Sequence, residues 1–389
     1  MRLLHTADWH LGRTLDGFSR EEEQVAFIEE IVEMATDTKV DFVLISGDVF
    51  DTQNPSAQAE RLFYYSLEGL TQKAGATVVV IAGNHDNPDR IQAPQSLAKR
   101  AGIYLLGEAN WNTLKLVGPH SKEQLNLLPL PYISEARLGR VLASDFKESA
   151  LQKGYDNLMS EIFSQTAHSF SPDGVNIIAA HLLVLGSEAC ESERPLAIGG
   201  AYRINADLFP ESAQYVALGH MHRPQVINGH EKIRYAGSPL IYSLSEIGQA
   251  KSVTLLEVKR DQVATTKELF LSSGRPVVKW QSKSLAEVQA YMDEGRDKEA
   301  YLYLELDLGR VLTRDEIQHL KSLYPRLVNI QVILPEMKQE EVRLSGLSLE
   351  EIFRRFYVKE NGTEPSDDLV DLFINTAAKL QEGEGEEAI

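Results

Sequence analysis

The chain has 389 residues, of which 43% are hydrophobic and 25% charged, the composition of a globular protein with room for two or three domains. The formal net charge of −18 argues against DNA binding driven by charge alone, because nucleic-acid-binding surfaces are usually basic. No apolar run reaches the ~20 residues of a membrane helix, the N-terminus lacks a signal-peptide core and Cys190 is the only cysteine, so we expect a cytoplasmic protein that contacts no membrane.

The first part of the chain alternates apolar runs with helical patterns. Residues 2–8, 40–48 and 76–84 are predicted to be strands buried on both faces. Residues 21–36 place apolar side chains at helical spacing, and a second helical stretch lies around residues 58–73. This β-α-β-α-β order predicts an α/β fold with a layered, partly parallel sheet.

Further apolar segments follow one another at closer spacing, which predicts a second, mixed sheet. They lie at residues 175–183, 214–220, 232–238, 252–258 and 265–271. Beyond them, a strand at 301–308, a helix at about 313–323 and a strand at 327–334 predict a small α/β capping domain. We therefore divide the chain into a main domain at 1–271, a capping domain at 272–335, a polar linker at 336–347, and two helices with an acidic tail at 348–389.

The first C-terminal helix carries a helix-start signal and an apolar stripe. Ser348 and Glu351 have the spacing of a capping box. The stripe consists of Leu349, Ile352, Phe353, Phe356 and Tyr357. It could pack on the chain's own domain. Because exposed apolar stripes are a liability unless they are covered, we expect it to dock onto a partner protein.

Polar side chains recur where the apolar runs end, which is where α/β sheets open to ligands. These residues are Asp8 and His10, Asp48 and Asp51, Asn84, His85 and Asp86, His181, and His220 and His222. They include five of the ten histidines in the chain. In extended chain, His220 and His222 would lie on one face, which suits metal binding as well as an ordinary loop. The recurrence at five places favours a metal site.

The donor types narrow the choice of metal. A mixed set of imidazoles, carboxylates and an amide, with no nearby thiolate, suits Mn²⁺ or Fe²⁺ better than a structural zinc site. Two adjacent ions need a bridging carboxylate, and Asp48 is central among the candidates. Paired ions can activate water and stabilise the oxygens of a phosphoryl displacement.

These motifs resemble a known superfamily. The series D-x-H, G-D-x-x-D, G-N-H-D, H and G-H-x-H is similar to that of the calcineurin-like metallophosphoesterases. The longer strings "LHTADWHLG", "ALGHMHRPQ" and "RYAGSPL" resemble the family of nuclease subunits of bacterial SbcCD complexes. The resemblance covers residues 1–260 by motif and implies a four-layer sandwich of mixed sheets flanked by helices.

The resemblance also assigns roles to the residues that match the motifs. It implies that Asp8, His10, Asp48 and His222 hold one ion, and that Asp48, Asn84, His181 and His220 hold the second. His85 would contact the scissile phosphate and stabilise charge or protonate the leaving oxygen. Asp51 would orient His85 and favour its protonated form.

The family implies a Mn²⁺-dependent DNA nuclease that acts in DNA repair, recombination and replication. With the SbcC ATPase as partner, it would degrade double-stranded ends as an ATP-dependent exonuclease and cut single strands or hairpins as an endonuclease. Two nuclease subunits would form a homodimer within a heterotetramer. No nucleotide is expected to bind this chain, which has no G-x-x-x-x-G-K-[ST] motif.

Two other functions remain open at this point. One is a phosphodiesterase or phosphatase for small molecules on the same fold, and the other is a non-catalytic scaffold. Arg13, Arg20 and Arg90 flank the motifs and could contact DNA phosphates, or they could be solvated surface residues. His5 is expected to be a hydrogen-bonded core residue, and Asp86 to fix its own turn.

Overall fold

A computed structural model describes residues 1–108, 111–133, 148–193, 203–260, 262–334, 348–361 and 364–374. The chain forms two compact units, Met1–Ile333 and Leu334–Ile389. Among the described residues, no helix combines the length and apolar character that a membrane crossing requires.

The described strands of three or more residues are β1 (Arg2–Thr6), β2 (Phe42–Ser46), β3 (Thr77–Ile81), β4 (Ile103–Leu106), β5 (Leu114–Val117), β6 (Gln124–Leu130), β7 (Val175–His181), β8 (Tyr215–Gly219), β9 (Gln225–Ile227), β10 (His230–Tyr235), β11 (Ser252–Glu257), β12 (Thr265–Phe270), β13 (Val277–Ser282), β14 (Tyr301–Leu306) and β15 (Leu327–Val332). The α-helices are α1 (Glu21–Thr38), α2 (Ala57–Glu68), α3 (Pro88–Gln92), α4 (Gln95–Ala98), α5 (Glu148–Ser169), α6 (Leu285–Asp293), α7 (Arg314–Leu323) and α8 (Leu349–Asn361).

Two six-stranded sheets form the main body. The first has the order β12-β11-β1-β2-β3-β4. Strands β1 to β4 are parallel to one another, β11 is antiparallel to β1, and β12 is antiparallel to β11. The second has the order β9-β10-β8-β7-β6-β5, with parallel inner strands and antiparallel β5 and β9. The placement of segments 252–258 and 265–271 in the second sheet was therefore wrong, because the chain returns to pair β11 with β1. Strands β4, β5, β6, β9 and β13 and helices α3, α4, α5 and α6 were not predicted.

The two sheets pack face to face and carry helices on their outer faces. Leu3, Phe42 and Leu44 of the first sheet meet Leu127 and Ile177 of the second in one buried cluster. Helices α1 and α2 cover the first sheet, and α5 covers the second. The order helix, sheet, sheet, helix confirms the predicted four-layer α/β architecture.

A smaller parallel sheet, β13-β14-β15, belongs to the same compact unit. With α6 and α7 it makes the small α/β element expected near the end of this unit. Glu23 of α1 ties it to the main body by accepting hydrogen bonds from the Tyr301 hydroxyl at 2.9 Å and the Arg275 amide at 2.7 Å. The four-part division of the chain stays a prediction.

The C-terminal unit contains α8, whose start is a capping box as predicted. The Ser348 amide donates to the Glu351 carboxylate at 2.8 Å, and the Glu351 amide donates to the Ser348 hydroxyl at 3.2 Å. Residues 367–374 form a second helical segment.

The predicted apolar stripe lies on α8, at Leu349, Ile352, Phe353, Phe356 and Tyr357. The Phe353 ring stacks on the Phe373 ring of the second helical segment, with centroids 4.1 Å apart. Phe356 remains 58% exposed. The two helical segments therefore pack on each other and still leave an aromatic side chain in solvent.

Candidate metal centre

The seven side chains predicted to bind metal come from the carboxyl ends of five strands in the two sheets. Asp8 and His10 follow β1, Asp48 follows β2, Asn84 follows β3, His181 ends β7, and His220 and His222 follow β8. Because these strands are parallel within each sheet and the sheets are packed together, all five ends meet at one edge. All the side chains except Asn84 are buried.

The first cluster contains Asp8, His10 and His222. Their ligand-type atoms lie within 4.8 Å of one another. The Nε2 atoms of His10 and His222 are 3.0 Å apart. An Asp48 carboxylate oxygen lies 3.8 Å from His10 Nε2, so this carboxylate borders the first cluster.

The second cluster contains Asp48, His181 and His220, whose ligand-type atoms also lie within 4.8 Å of one another. The amide oxygen of Asn84 lies 2.8 Å from His181 Nε2 and 3.2 Å from His220 Nδ1. The same oxygen of Asp48 that faces the first cluster is 3.5 Å from His181 Nε2. Asp48 therefore stands between the two clusters.

The hydrogen bonds of His181 indicate a cation site. Its Nδ1 lies 2.9 Å from the Ser46 carbonyl oxygen, which can only accept, so Nδ1 carries the proton. Nε2 then presents a lone pair, yet it faces the oxygens of Asn84 and Asp48. A lone pair directed at two oxygens is stable when a cation lies among them. The donor set thus fits a divalent metal ion.

Burial keeps these imidazoles in the form that binds metal. It lowers the pKa of both His181 and His222 to about 4. It also holds the pKa of His10 and His220 well below the usual range, with neighbouring histidines adding to the effect. Burial, followed by the charge of Asp48, raises the pKa of Asp8. At neutral pH the four histidines are therefore uncharged and can act as ligands.

The backbone adopts unusual conformations to bring these side chains together. Nine described non-glycine residues have positive φ, and four of them are predicted ligands: Asp8, His10, Asp48 and His220. Such strain persists where the surrounding structure enforces it, and it concentrates at functional sites. The backbone at Gly83 also lies very close to Asp48, and only glycine fits there, because a Cβ would lie 2.1 Å from Asp48 Oδ1.

His85 lies beside the first cluster, with its ring centroid 4.6 Å from that of His10. Its Nδ1 lies 2.8 Å from the main-chain carbonyl oxygen of Asp51, whereas the Asp51 carboxylate is 4.0 Å away. The carboxylate is nearer to His10 Nδ1, at 3.6 Å, and to Arg13 Nε, at 3.8 Å. Asp51 thus orients the His85 ring through its main chain, and its side chain adds negative charge nearby.

The three candidate DNA-contacting arginines have different environments. Arg20 is fully buried, and its guanidinium donates to Glu23 at 2.5 and 2.8 Å and to the Ile241 carbonyl. The predicted phosphate contact of Arg20 is therefore wrong, because this ion pair leaves the side chain no access to solvent. Arg13 stacks on Tyr242 beside the centre and is 17% exposed. Arg90 lies at the surface, paired with Glu60.

Asp86 accepts hydrogen bonds from the amides of Gly83, Val49 and Phe50 at 2.8, 3.1 and 2.9 Å. It fixes its own turn, as predicted, and also joins that turn to the loop after β2. Burial, followed by the charge of Asp48, raises its pKa to about 6.

Sequence reasoning missed a polar network behind His222. Ser192 Oγ lies 2.6 Å from His222 Nδ1 and donates to Glu246 Oε1 at 2.5 Å. Lys251 pairs with Glu246 and donates to the His222 carbonyl at 3.0 Å. Burial would raise the pKa of Glu246, but His222 and Lys251 outweigh it and lower that pKa below its usual range. The sequence offered one signal for this network: Glu246 and Lys251 come shortly after the motif "RYAGSPL".

The layered sheets with two ligand clusters at their shared edge have the organisation of a metallophosphoesterase. Residues 1–224 match the calcineurin-like phosphoesterase family. Residues 273–361 match a domain described as the type 5 capsule protein repressor C-terminal domain.

The chain is also similar along its length to proteins named as the D subunit of nuclease SbcCD. It is 42% identical to that of Bacillus subtilis over 98% of this chain and 99% of the relative. It is 32% identical to that of Rhodobacter capsulatus, covering 86% and 88%, and 28% identical to that of Escherichia coli K12, covering 98% of each. The chain therefore belongs to the calcineurin-like phosphoesterase family and, within it, to the family of SbcD nuclease subunits.

Proposed function

We propose that this chain is a Mn²⁺-dependent deoxyribonuclease, the nuclease subunit of an SbcCD-type complex. With an SbcC-type ATPase it acts as an ATP-dependent exonuclease on double-stranded ends and as an endonuclease on single strands or hairpins. Its setting would be DNA repair, recombination and replication in the cytoplasm. The observation that carries the proposal is the position of the Asp48 carboxylate, 3.8 Å from His10 in one ligand cluster and 3.5 Å from His181 in the other.

In this proposal each cluster holds one divalent ion. The first set is Asp8, His10, Asp48 and His222, and the second is Asp48, Asn84, His181 and His220. Mixed imidazole and oxygen donors suit Mn²⁺. When bound, the metal ions supply Lewis-acid stabilisation of phosphate charge and polarise a water molecule.

The protein's own contribution to the chemistry centres on His85. Its Nδ1 donates to the Asp51 carbonyl oxygen, which fixes the ring and leaves Nε2 as the atom that can hold or give a proton. The main-chain amide of His85 donates to Asp48 Oδ1 at 2.8 Å, so the ring keeps a fixed position relative to the carboxylate between the clusters. The Asp51 carboxylate at 4.0 Å favours the charged imidazole. We assign His85 to protonation of the leaving oxygen and to stabilisation of charge on the phosphate.

A partner resolves the conflict between DNA as substrate and a net charge of −18. An ATPase subunit that supplies a basic surface would hold the duplex, while this chain supplies the metal centre. The exposed Phe356 on α8 supports docking of the C-terminal helices onto that subunit. The stoichiometry implied by the resemblance, a homodimer within a heterotetramer, belongs to the same proposal.

The test combines cleavage with metal content. The purified chain is incubated with end-labelled linear duplex DNA and Mn²⁺, with and without the ATPase subunit and ATP, beside a His85→Ala variant. We expect cleavage that rises with the ATPase subunit and ATP, and a loss of about 10²–10⁴-fold in the variant, which should retain its metal.

Other results would contradict the proposal. A chain that binds both ions, turns over a small phosphodiester and never cuts DNA would be a small-molecule phosphodiesterase. A chain that binds no metal would be a scaffold.

A further inference from the structure

The ring of His222 is held by a buried chain of polar groups. Its Nδ1 lies 2.6 Å from Ser192 Oγ, and that hydroxyl donates to Glu246 Oε1 at 2.5 Å. Since the hydroxyl proton is directed to the carboxylate, the hydroxyl oxygen is left to accept from Nδ1. His222 must then carry its proton on Nδ1 and present the Nε2 lone pair to Asp8 and His10.

Glu246 is well suited to anchor this series of hydrogen bonds. It has no solvent exposure, and Lys251 neutralises its charge from the other side. Lys251 also donates to the His222 carbonyl at 3.0 Å, and the Ser238 amide donates to the same oxygen at 3.0 Å. The ring of His222 is thus held by Ser192 and Glu246, and its main chain by Lys251 and Ser238; the last three of these residues come from the loop that follows β10.

In the second cluster, His181 is oriented differently. The proton of His181 is placed on Nδ1 by the main-chain carbonyl of Ser46, 2.9 Å away. A main-chain carbonyl keeps this role whatever side chain stands at that position. His222 and His181 therefore differ in a testable way, since the orientation of His222 depends on a side-chain carboxylate, whereas that of His181 depends on a main-chain carbonyl.

We propose that Glu246, acting through Ser192, is a positioning residue that sets the tautomer and orientation of His222 and so controls metal affinity at the Asp8–His10–His222 cluster alone. This inference rests on the proposed two-metal function. Groups that orient a metal-binding histidine commonly contribute about 10–100-fold to metal affinity. The expected consequence is selective loss of one ion.

The test measures metal binding and does not depend on DNA cleavage. Metal-free wild-type protein, Glu246→Gln, Ser192→Ala and Ser192→Thr are titrated with Mn²⁺ by calorimetry and followed by electron paramagnetic resonance. We expect one of the two ions to bind about 10–100-fold more weakly in Glu246→Gln and Ser192→Ala, with the spectrum of a coupled pair replaced by that of an isolated ion. Ser192→Thr retains the hydroxyl and should restore the wild-type spectrum.

Glu193→Gln provides the matched control. Glu193 accepts from the main-chain amide of His222 at 2.7 Å through one oxygen and from the Cys190 amide through the other, so neither bond involves the ring and glutamine can keep one of the two. This variant should bind both ions as the wild type does. Equal weakening in Glu193→Gln and Glu246→Gln would overturn the inference, because loss of charge alone would then explain both.

Two further outcomes separate this inference from the proposed function. Wild-type binding of both ions by Ser192→Ala would refute the positioning role, even if Glu246→Gln failed to fold. A wild-type chain that bound fewer than two ions would overturn the proposed function as well.

Discussion

Replacing Gly83 by alanine should disable the metal centre although it changes no proposed ligand. A Cβ at this position would lie 2.1 Å from Asp48 Oδ1 and 2.3 Å from the Asp48 amide nitrogen, whereas real Cβ contacts essentially never fall below 3.0 Å. Because one of these atoms belongs to the main chain, rotation of the Asp48 side chain cannot relieve the clash. The residue between the clusters must therefore shift by about 1 Å, a displacement that can cost ~10²-fold in rate.

The same overpacking should lower the free energy of unfolding by about 1–3 kcal/mol, so the variant should still fold. The assays are Mn²⁺ stoichiometry, thermal unfolding and cleavage of labelled duplex DNA. Gly274→Ala is the control, because its Cβ would meet only a terminal methyl group of Leu240, at 3.0 Å. A Gly83→Ala protein with wild-type metal content and cleavage would refute the assignment of Asp48 to the bridging position.

Three further predictions concern stability and assembly. Arg20→Ala should lower the free energy of unfolding by about 3–5 kcal/mol, measured by urea denaturation, because it leaves the buried Glu23 carboxylate unpaired. Burial, followed by the Arg234 charge, lowers the pKa of His5 from 6.5 to about 3, so the unfolded state takes up the proton first as pH falls. Between pH 7.5 and 5, wild-type protein should lose about 2 kcal/mol more stability than His5→Gln. Phe356→Glu should weaken binding of the ATPase subunit about 10-fold in calorimetry and leave basal cleavage unchanged.

Each of these predictions has an outcome that contradicts it. Arg20→Ala with wild-type stability and weaker DNA binding would restore Arg20 as a phosphate contact. Parallel pH dependence of wild type and His5→Gln would show that folding does not lower the pKa of His5. Undiminished binding by Phe356→Glu would mean that the exposed face of α8 is not the docking surface.

The parallel inner strands were predictable because strands buried on both faces appear as continuous apolar runs. Strand β2 lies within such a run at residues 40–48, and β8 lies within 214–220. Strand β6 was not predicted because Pro129 interrupts its apolar pattern, and a proline usually argues against an inner strand. Helix α5 was not predicted for a similar reason, since Gly154 lowers the helix propensity of this segment. Periodicity also carries no information on pairing, so β11 was assigned to the wrong sheet.

The proposed ligands could be chosen from the sequence because they share a position, the end of an apolar strand. The residues that orient these ligands share neither a position relative to the strands nor a regular spacing in the sequence. Ser192 and Glu246 lie 54 residues apart, in loops whose composition resembles that of other loops. Arg20 was proposed as a phosphate contact because it flanks the first motif, whereas the fold buries its ion pair with Glu23 beneath the small sheet. Burial of a charged pair depends on tertiary contacts that a local pattern does not record.

The span of the centre along the chain also bears on biosynthesis. The proposed ligands begin at Asp8 and end at His222, and Lys251, which fixes His222, comes later still. A growing polypeptide would therefore hold at most a fragment of the first metal cluster until more than half of it had left the ribosome, and the residues that fix His222 would be complete only after about two-thirds. Products that end before His222 would lack at least one proposed ligand. The nuclease would become active only after the sheets that carry its ligands had been made and joined.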